Sequence, residues 1–161
     1  MTTLSSGGVD SDQRPPLGAL LRLTHELVYA ELYAKTAAAG YPELRPAHFR
    51  LLRFPGLDGE RPTELAAGLD ISKQAINPLL NYLDRWGYLE RRIAAEDARG
   101  RVLHLTVRGR KLMSTIRRLH RQIESRWARQ LGSRRFHVAL AALDEMAHAH
   151  PAHPAHADRK T

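Results

Sequence analysis

Residues 64–92 read ELAAGLDISKQAINPLLNYLDRWGYLERR, and the periodicity of this stretch decides the fold. Leu65, Ala66 and Leu69 recur at helical spacing behind Pro62, a residue suited to a first helical turn because the N–H it lacks would be unbonded there anyway. A helix of about two turns over Thr63–Leu69 is expected. Asp70-Ile71 then forms a tight turn, and Ser72 is placed to cap a second helix running to about Trp86. On that helix Ala75, Ile76, Leu79, Leu80 and Leu83 are expected to face inward, and Lys73, Gln74, Asn77 and Asn81 outward. Gly87 sits where a left-handed cap residue belongs. Two short strands follow, Leu89–Ile93 and Val102–Leu105, around the polar loop AAEDARG, which Gly100 helps to turn.

Working outward, Leu17 opens a helix with two apolar stripes, one of Leu20, Leu23, Leu27, Ala30 and Ala34, the other of Leu17, Leu21, Val28 and Leu32. A helix apolar on two sides needs two neighbours, and in a small domain one of them can be another subunit. Gly40-Tyr41-Pro42 stops it, Pro46 opens a short helix through Phe54, and Thr106 caps a long helix to about Leu131. The long helix has an apolar stripe of Leu112, Ile116, Leu119, Ile123 and Trp127, and a polar face of Lys111, Ser114, Arg118, Arg121, Ser125 and Arg129. Ser133 is expected to cap a final helix carrying Phe136, Leu140, Leu143 and Ala147. The organisation expected is therefore a disordered arm over 1–16, a domain over 17–147 and a flexible His/Pro/Ala-rich tail over 148–161. Within the domain a winged helix occupies about 45–110, flanked by helices at about 17–39 and 107–147.

The chain has 161 residues, 43% hydrophobic and 26% charged, and no cysteine. That length buries one real core, and the missing cysteines exclude disulfides, thiol chemistry and thiolate-bound zinc. No apolar run approaches the roughly 18 residues a membrane helix needs, and no basic-then-apolar leader opens the chain, so a soluble, cytoplasmic setting is expected. Net charge is +8, and 21 of the 25 basic residues are Arg. Residues 1–60 carry net −1, residues 61–111 net +4 and residues 112–161 net +5. A polyanionic partner is favoured, although a basic surface alone does not choose between nucleic acid and membrane.

Helix, tight turn, helix and hairpin is the order of a mainly α winged helix-turn-helix, whose second helix fits a major groove ~12 Å wide. Gln74, Asn77 and Asn81 can offer donor and acceptor together to a base edge, Lys73 can reach guanine or phosphate, and Ser72 opens a helix N-terminus that suits a phosphate. A plain solvated helix face fits the same residues. In the hairpin, Arg91 and Arg92 lie on the first strand and Asp97, Arg99 and Arg101 follow. An Arg on a narrow projecting loop suits the negative potential of a narrow minor groove. A charged flexible turn is the alternative. Beyond it the basic face of the long helix reads first as a solvated face, with a phosphate footprint or an acidic partner as alternatives; Arg108, Arg110 and Lys111, nearest the wing in sequence, are the ones best placed to reach phosphate.

The run from Glu64-Leu65-Ala66 through Ser72-Lys73, Leu83, Gly87-Tyr88-Leu89 and Arg91 to Asp97-Ala98-Arg99, Leu105-Thr106 and Gly109 resembles the MarR family of winged-helix regulators. The resemblance implies a homodimer bound to a pseudo-palindromic DNA operator, with the helix from Ser72 in the major groove and Arg99 in the minor groove. It further implies first and last helices that pair two subunits, and release of DNA by a small aromatic or phenolic effector. The DNA-binding set is then Ser72, Lys73, Gln74, Asn77, Asn81, Arg91, Arg99 and Arg101. Two departures stand out: Ala98 where an Arg is common, and Pro78 inside the recognition helix, where it removes a hydrogen bond to Gln74.

His25, Tyr29, Tyr33 and His48 are candidates to border an effector crevice. His148, His150, His153 and His156 form a tail of imidazoles that can take up metal ions, so a metal-responsive or metal-binding protein is one alternative reading. A winged-helix interaction module without DNA specificity is another. No glycine-rich phosphate loop, His-Glu-x-x-His or nucleophile elbow is present, and Glu96-Asp97 has no apolar wall to raise a pKa. No catalytic residue, resident metal or cofactor is expected.

Overall fold

The computed structural model describes residues 14–94 and 97–149, with side chains outside 94–100. Most of the arm expected over 1–16, and the tail beyond Ala149, lie outside the described residues. The elements in chain order are α1 (Leu17–Ala38), α2 (Pro46–Leu52), α3 (Pro62–Gly68), α4 (Lys73–Arg85), β1 (Leu89–Ala94), β2 (Asp97–Leu105), α5 (Val107–Leu131) and α6 (Ser133–His148). This is the winged helix-turn-helix order read from the sequence, framed by α1, α5 and α6.

Local chemistry accounts for the boundaries. Pro46 and Pro62 open α2 and α3. Asp70 takes the left-handed conformation (φ 51°), which Asp tolerates better than most residues, and Ile71 N–H donates back to the Ala66 carbonyl at 3.1 Å. The chain thereby leaves α3 and enters α4 within a few residues. Ser72 Oγ accepts from the Ala75 amide at 3.1 Å and Thr106 Oγ1 from the Gly109 amide at 3.0 Å, capping α4 and α5 as read from the sequence. Pro78 lies exposed within α4, which continues through it. Gly87 (φ 69°) turns the chain out of α4 into β1.

Three expectations are corrected. Ala75 is exposed, because residues 72–75 form a first turn that projects past the core; the inward face of α4 is Ile76, Leu80 and Leu83, with Leu79 half-buried. Gly132 occupies the position ahead of α6, so Ser133 is its first residue and not its cap. Strand β2 begins at Asp97, well before Val102, because the antiparallel register runs from Leu89↔Leu105 to Ile93↔Arg101 before an irregularity at Ala94.

One core joins the elements: Leu32, Phe49, Leu52, Leu65, Ile76, Leu80, Leu83, Tyr88, Leu103 and the α5 stripe Leu112, Ile116, Leu119 and Ile123. The wing base is held from both sides. Gly59 N–H donates to Leu103 O at 2.7 Å, Leu103 N–H donates to Glu60 O at 2.8 Å, and Asp58 Oδ1 accepts from the Leu105 amide at 3.0 Å. The loop before α3 thus acts as an extra edge for β2. By contrast α6 buries no residue, and Leu17, Leu23 and Leu27 of α1 are 53%, 43% and 60% exposed. Much of the apolar surface of α1 thus stays open to solvent among the described residues, with Leu27 at the edge of a cavity shared with α5 and α6.

The start of α5 presses against the start of β1. A Cβ at Gly109 would lie 2.0 Å from the Tyr88 carbonyl oxygen and 3.0 Å from Leu105 Cδ2, and the first is backbone that cannot swing aside. Gly109→Ala is expected to destabilise the fold by about 3 kcal/mol, measured by urea unfolding; a change below half that value would mean the junction yields.

Candidate nucleic-acid interface

The outward residues of α4 meet the base of the wing. Arg61, Pro62, Thr63, Lys73, Asn77, Arg91 and Arg101 line one open groove of 380 Å³. It contains four cationic side chains and no carboxylate, and Asn77 contributes an amide able to donate and accept. The exposed N-terminal turn of α4, with Ser72 and Gln74, stands beside it. The sequence-derived residues Lys73, Asn77, Arg91 and Arg101 are thus brought together. Arg99 lies on β2 with its side chain outside the described residues.

Asn81 is exposed but committed. Its Oδ1 accepts from Arg91 Nη2 at 2.8 Å, and since a guanidinium has no acceptor, only the amide oxygen can face it. The pair ties α4 to β1 and fixes the stem of Arg91 beside the groove. Arg108 and Arg110, the residues of the long helix best placed in sequence to reach phosphate, are also engaged internally. Arg108 donates to Glu43 at 2.9 Å and to the Tyr88 hydroxyl at 3.0 Å, and Arg110 to the Leu105 carbonyl at 2.6 Å. Lys111 is exposed. Sequence reasoning missed Arg61 and Thr63; the available signal was their place on either side of Pro62, at the helix start that faces the wing.

Behind α4 lies a buried polar cluster. Tyr88 is fully buried, and its hydroxyl donates to the Glu43 carboxylate. Burial, and then the hydrogen bond to Glu43, push the Tyr88 phenol up to about 12. For Glu43 burial acts in the raising direction, but hydrogen bonds from Tyr88 and its own amide, together with Arg108, hold its carboxyl below the usual range.

The four effector candidates separate into two groups. His25, Tyr29 and Tyr33 stack along successive turns of α1, with ring centroids 4.3 Å and 5.8 Å apart, and Tyr33 continues to Phe49 at 4.6 Å. Arg53 joins this ladder by donating to the Tyr29 hydroxyl at 3.0 Å, and His120 meets Tyr29 edge-on at 6.1 Å. Burial, then the neighbouring Tyr29, raises the Tyr33 phenol. His48 instead is buried beneath α4, stacked on Tyr82 at 4.3 Å, and its Nδ1 accepts from the Arg45 amide at 3.0 Å. In the tail, His148 closes α6, with Nδ1 2.8 Å from the Asp144 carbonyl. His150, His153 and His156 lie outside the described residues.

This arrangement, a recognition helix projecting beside a two-stranded wing with a basic groove between them, is that of a winged helix-turn-helix DNA-binding protein. The family profile of the MarR family matches residues 44–100. The chain is similar to the transcriptional repressor CouR bound to a 23-mer DNA duplex, at 25% identity over 91% of this chain and 99% of that one, with a TM-score of 0.66. It is similar to the Mycobacterium tuberculosis MarR family protein Rv2887 in complex with salicylic acid, at 25% identity over 84% and 98%, with a TM-score of 0.64. Escherichia coli MarR in its apo form shares the fold at 20% identity over 83% and 98%, with a TM-score of 0.67. No curated protein matches the chain in sequence. The profile match falls on the winged-helix lobe, and the chain as a whole has the fold of the MarR-family transcription regulators. Among the described residues no helix is long and apolar enough to cross a membrane.

His48 gives a pH test. Burial, and then the charge of Arg45, lower its pKa from the ordinary histidine value, and its imidazolium form would carry a proton where the Arg45 N–H now points. The unfolded chain therefore binds the proton more readily, so stability is full above about pH 6.5 and falls as pH drops from there through the folded value. Unfolding free energies between pH 7 and 5 should decline more steeply for the native protein than for His48→Gln. Parallel curves would remove His48 from the linkage.

Proposed function

We propose that the protein acts as a homodimer on a pseudo-palindromic operator, with α4 in successive major grooves and the wings in the flanking minor grooves. The observation that carries this reading is the basic groove that Lys73, Asn77, Arg91 and Arg101 form together between recognition helix and wing. In it Ser72, Lys73 and the α4 N-terminus hold phosphate, Gln74 and Asn77 meet base edges, and Arg91, itself steadied by Asn81, together with Arg99 and Arg101, secures the backbone and minor groove. The DNA-bound state of CouR supports the same use of the fold.

Pairing through the stalk is supported by the apolar side chains left exposed on α1 and α6. Leu20, Leu23 and Leu27 stand out on one helix, and Val138, Leu143 and Met146 on the other. Large apolar side chains left exposed in number on a helix mark an interface. Residues 17–39 and 107–147 thus form the dimerisation helices and about 45–110 the reading lobe, in a soluble protein of the cytoplasm. Recognition helices of a dimer must stand about one duplex turn, ~34 Å, apart.

The ladder of His25, Tyr29 and Tyr33, with Arg53 donating to Tyr29, supports a small aromatic or phenolic effector: ring faces to stack on and a cation for an acidic substituent. The salicylic acid complex of Rv2887 is in keeping with that chemistry. An effector that prefers a splayed arrangement of the lobes shifts the population away from DNA.

Selection of bound sequences from random duplex DNA, at fixed salt, should return a two-fold symmetric site. On that site Arg101→Ala should weaken binding uniformly across sequences and reduce the salt slope by about one, whereas Asn77→Ala should cost about 1–3 kcal/mol and relax preference at one position per half-site. Random duplex competing as well as the selected site would overturn the reading.

A further inference from the structure

Glu43 sits in the loop between α1 and α2, outside the DNA-facing groove, yet it touches every part that orients that groove. Its carboxylate, only 8% exposed, accepts from the Tyr88 hydroxyl and from Arg108 Nη2 at 2.9 Å. Its backbone carbonyl accepts from the Tyr82 hydroxyl at 2.8 Å. Tyr82 belongs to the recognition helix α4, Tyr88 leads into the wing, and Arg108 lies in the first turn of α5, the stalk helix. Arg108 also lies over the rings of Tyr88 at 4.7 Å and Trp86 at 5.9 Å. One residue therefore holds the C-terminal end of α4, the wing base and the foot of the stalk by hydrogen bonds, with charge-assisted bonds the strongest of the set.

We infer that Glu43 is a positioning residue for DNA reading, locking the α4-and-wing lobe to the stalk and so setting where the two recognition helices of a dimer stand relative to one another. The inference rests on the dimeric operator reading above. Its logic is geometric. A lobe pivoting at the foot of α5 moves α4 through an arc, and two half-sites on a stiff duplex accept only one separation. Reading within one half-site is indifferent to that pivot. The groove residues Lys73, Asn77, Arg91 and Arg101 make their contacts whichever way the lobe is turned, whereas joint occupation of both half-sites depends on the lock.

The test measures affinities of the native protein, Glu43→Ala and Glu43→Gln for three duplexes: the selected two-half-site sequence, the same sequence with its spacer lengthened by one base pair, and a single half-site. For Glu43→Ala we expect a loss on the order of tenfold on the native spacing, unchanged half-site affinity, and a smaller penalty than the native protein shows for the lengthened spacer. Equal losses on full and half-site duplexes would show general weakening of the fold and overturn the inference, as would undiminished affinity at the native spacing. Should the alanine variant not fold, Glu43→Gln, which keeps the shape and an acceptor oxygen but not the charge, is judged by the same full-site against half-site comparison. A native protein that binds one half-site as tightly as two would overturn the dimeric operator reading itself.

Discussion

A buried phenol has to find hydrogen-bond partners, and Tyr88 finds them in two segments far from it in sequence. Its ring is fully buried between α4 and α5, where an unpartnered hydroxyl would cost 1–3 kcal/mol or so. Glu43 supplies the acceptor and Arg108 the cation that makes a largely buried carboxylate tolerable. The backbone of the same residue is equally constrained. Its carbonyl accepts from the Thr106 amide at 3.1 Å, and the chain at Gly109 passes too close to admit a Cβ. Side chain and main chain of Tyr88 thus fix the loop before α2, the hairpin and the stalk helix against one another, and the direction of α4 follows from that.

The same cluster shows why net charge is a blunt guide to a binding surface. The chain is +8, but its arginines do different work. Arg108 and Arg110 are turned inward to Glu43, Tyr88 and the Leu105 carbonyl, Arg53 reaches Tyr29, and Arg126 pairs with Glu31 across α1 and α5. These brace helices. Arg91 and Arg101 reach the groove beside α4 instead, together with Lys73. What separates the two sets is where the fold places each guanidinium, against another helix or loop or along the open groove beside α4. Proximity in sequence to the wing, which makes Arg108 and Arg110 candidates for phosphate, carries no information on that point.

The fold was legible because its signals are local. Proline at two helix starts, Ser72 and Thr106 as caps, Gly87 past the end of α4 and the α5 stripe from Leu112 to Ile123 each act within one or two turns, and each is found where the pattern put it. The failures are instructive in the same terms. Ala75 is apolar and correctly spaced, but periodicity cannot say where the core ends, and the first turn of α4 lies beyond it. Lys73 and Asn77 could be read as outward from spacing alone. That Asn81 spends its oxygen on Arg91, that Arg61 and Thr63 border the groove, and that His48 is stacked under Tyr82 all depend on contacts between elements ten or more residues apart. Glu43 is the extreme case: a lone acidic residue in a short loop, whose partners lie 39, 45 and 65 residues away.

The two halves of the structure are unequally finished. Around Tyr88 and α4 the core is closed, whereas α6 buries nothing and much of α1 shows leucine to solvent. Apolar area left open in this way gives no stabilisation until something covers it, at roughly 25 cal/mol per Å² when it does. If the cover is a second copy, part of the folding free energy of the stalk appears only on association, and the stalk's stability depends on protomer concentration. The lobe, held by its own hydrogen bonds, has no such dependence. A dimer divided in this way would keep each reading surface rigid and leave the relation between the two to the softer element. On the proposed reading, a ligand seated against the α1 ladder would need only a modest preference between stalk arrangements to change whether both half-sites are met at once.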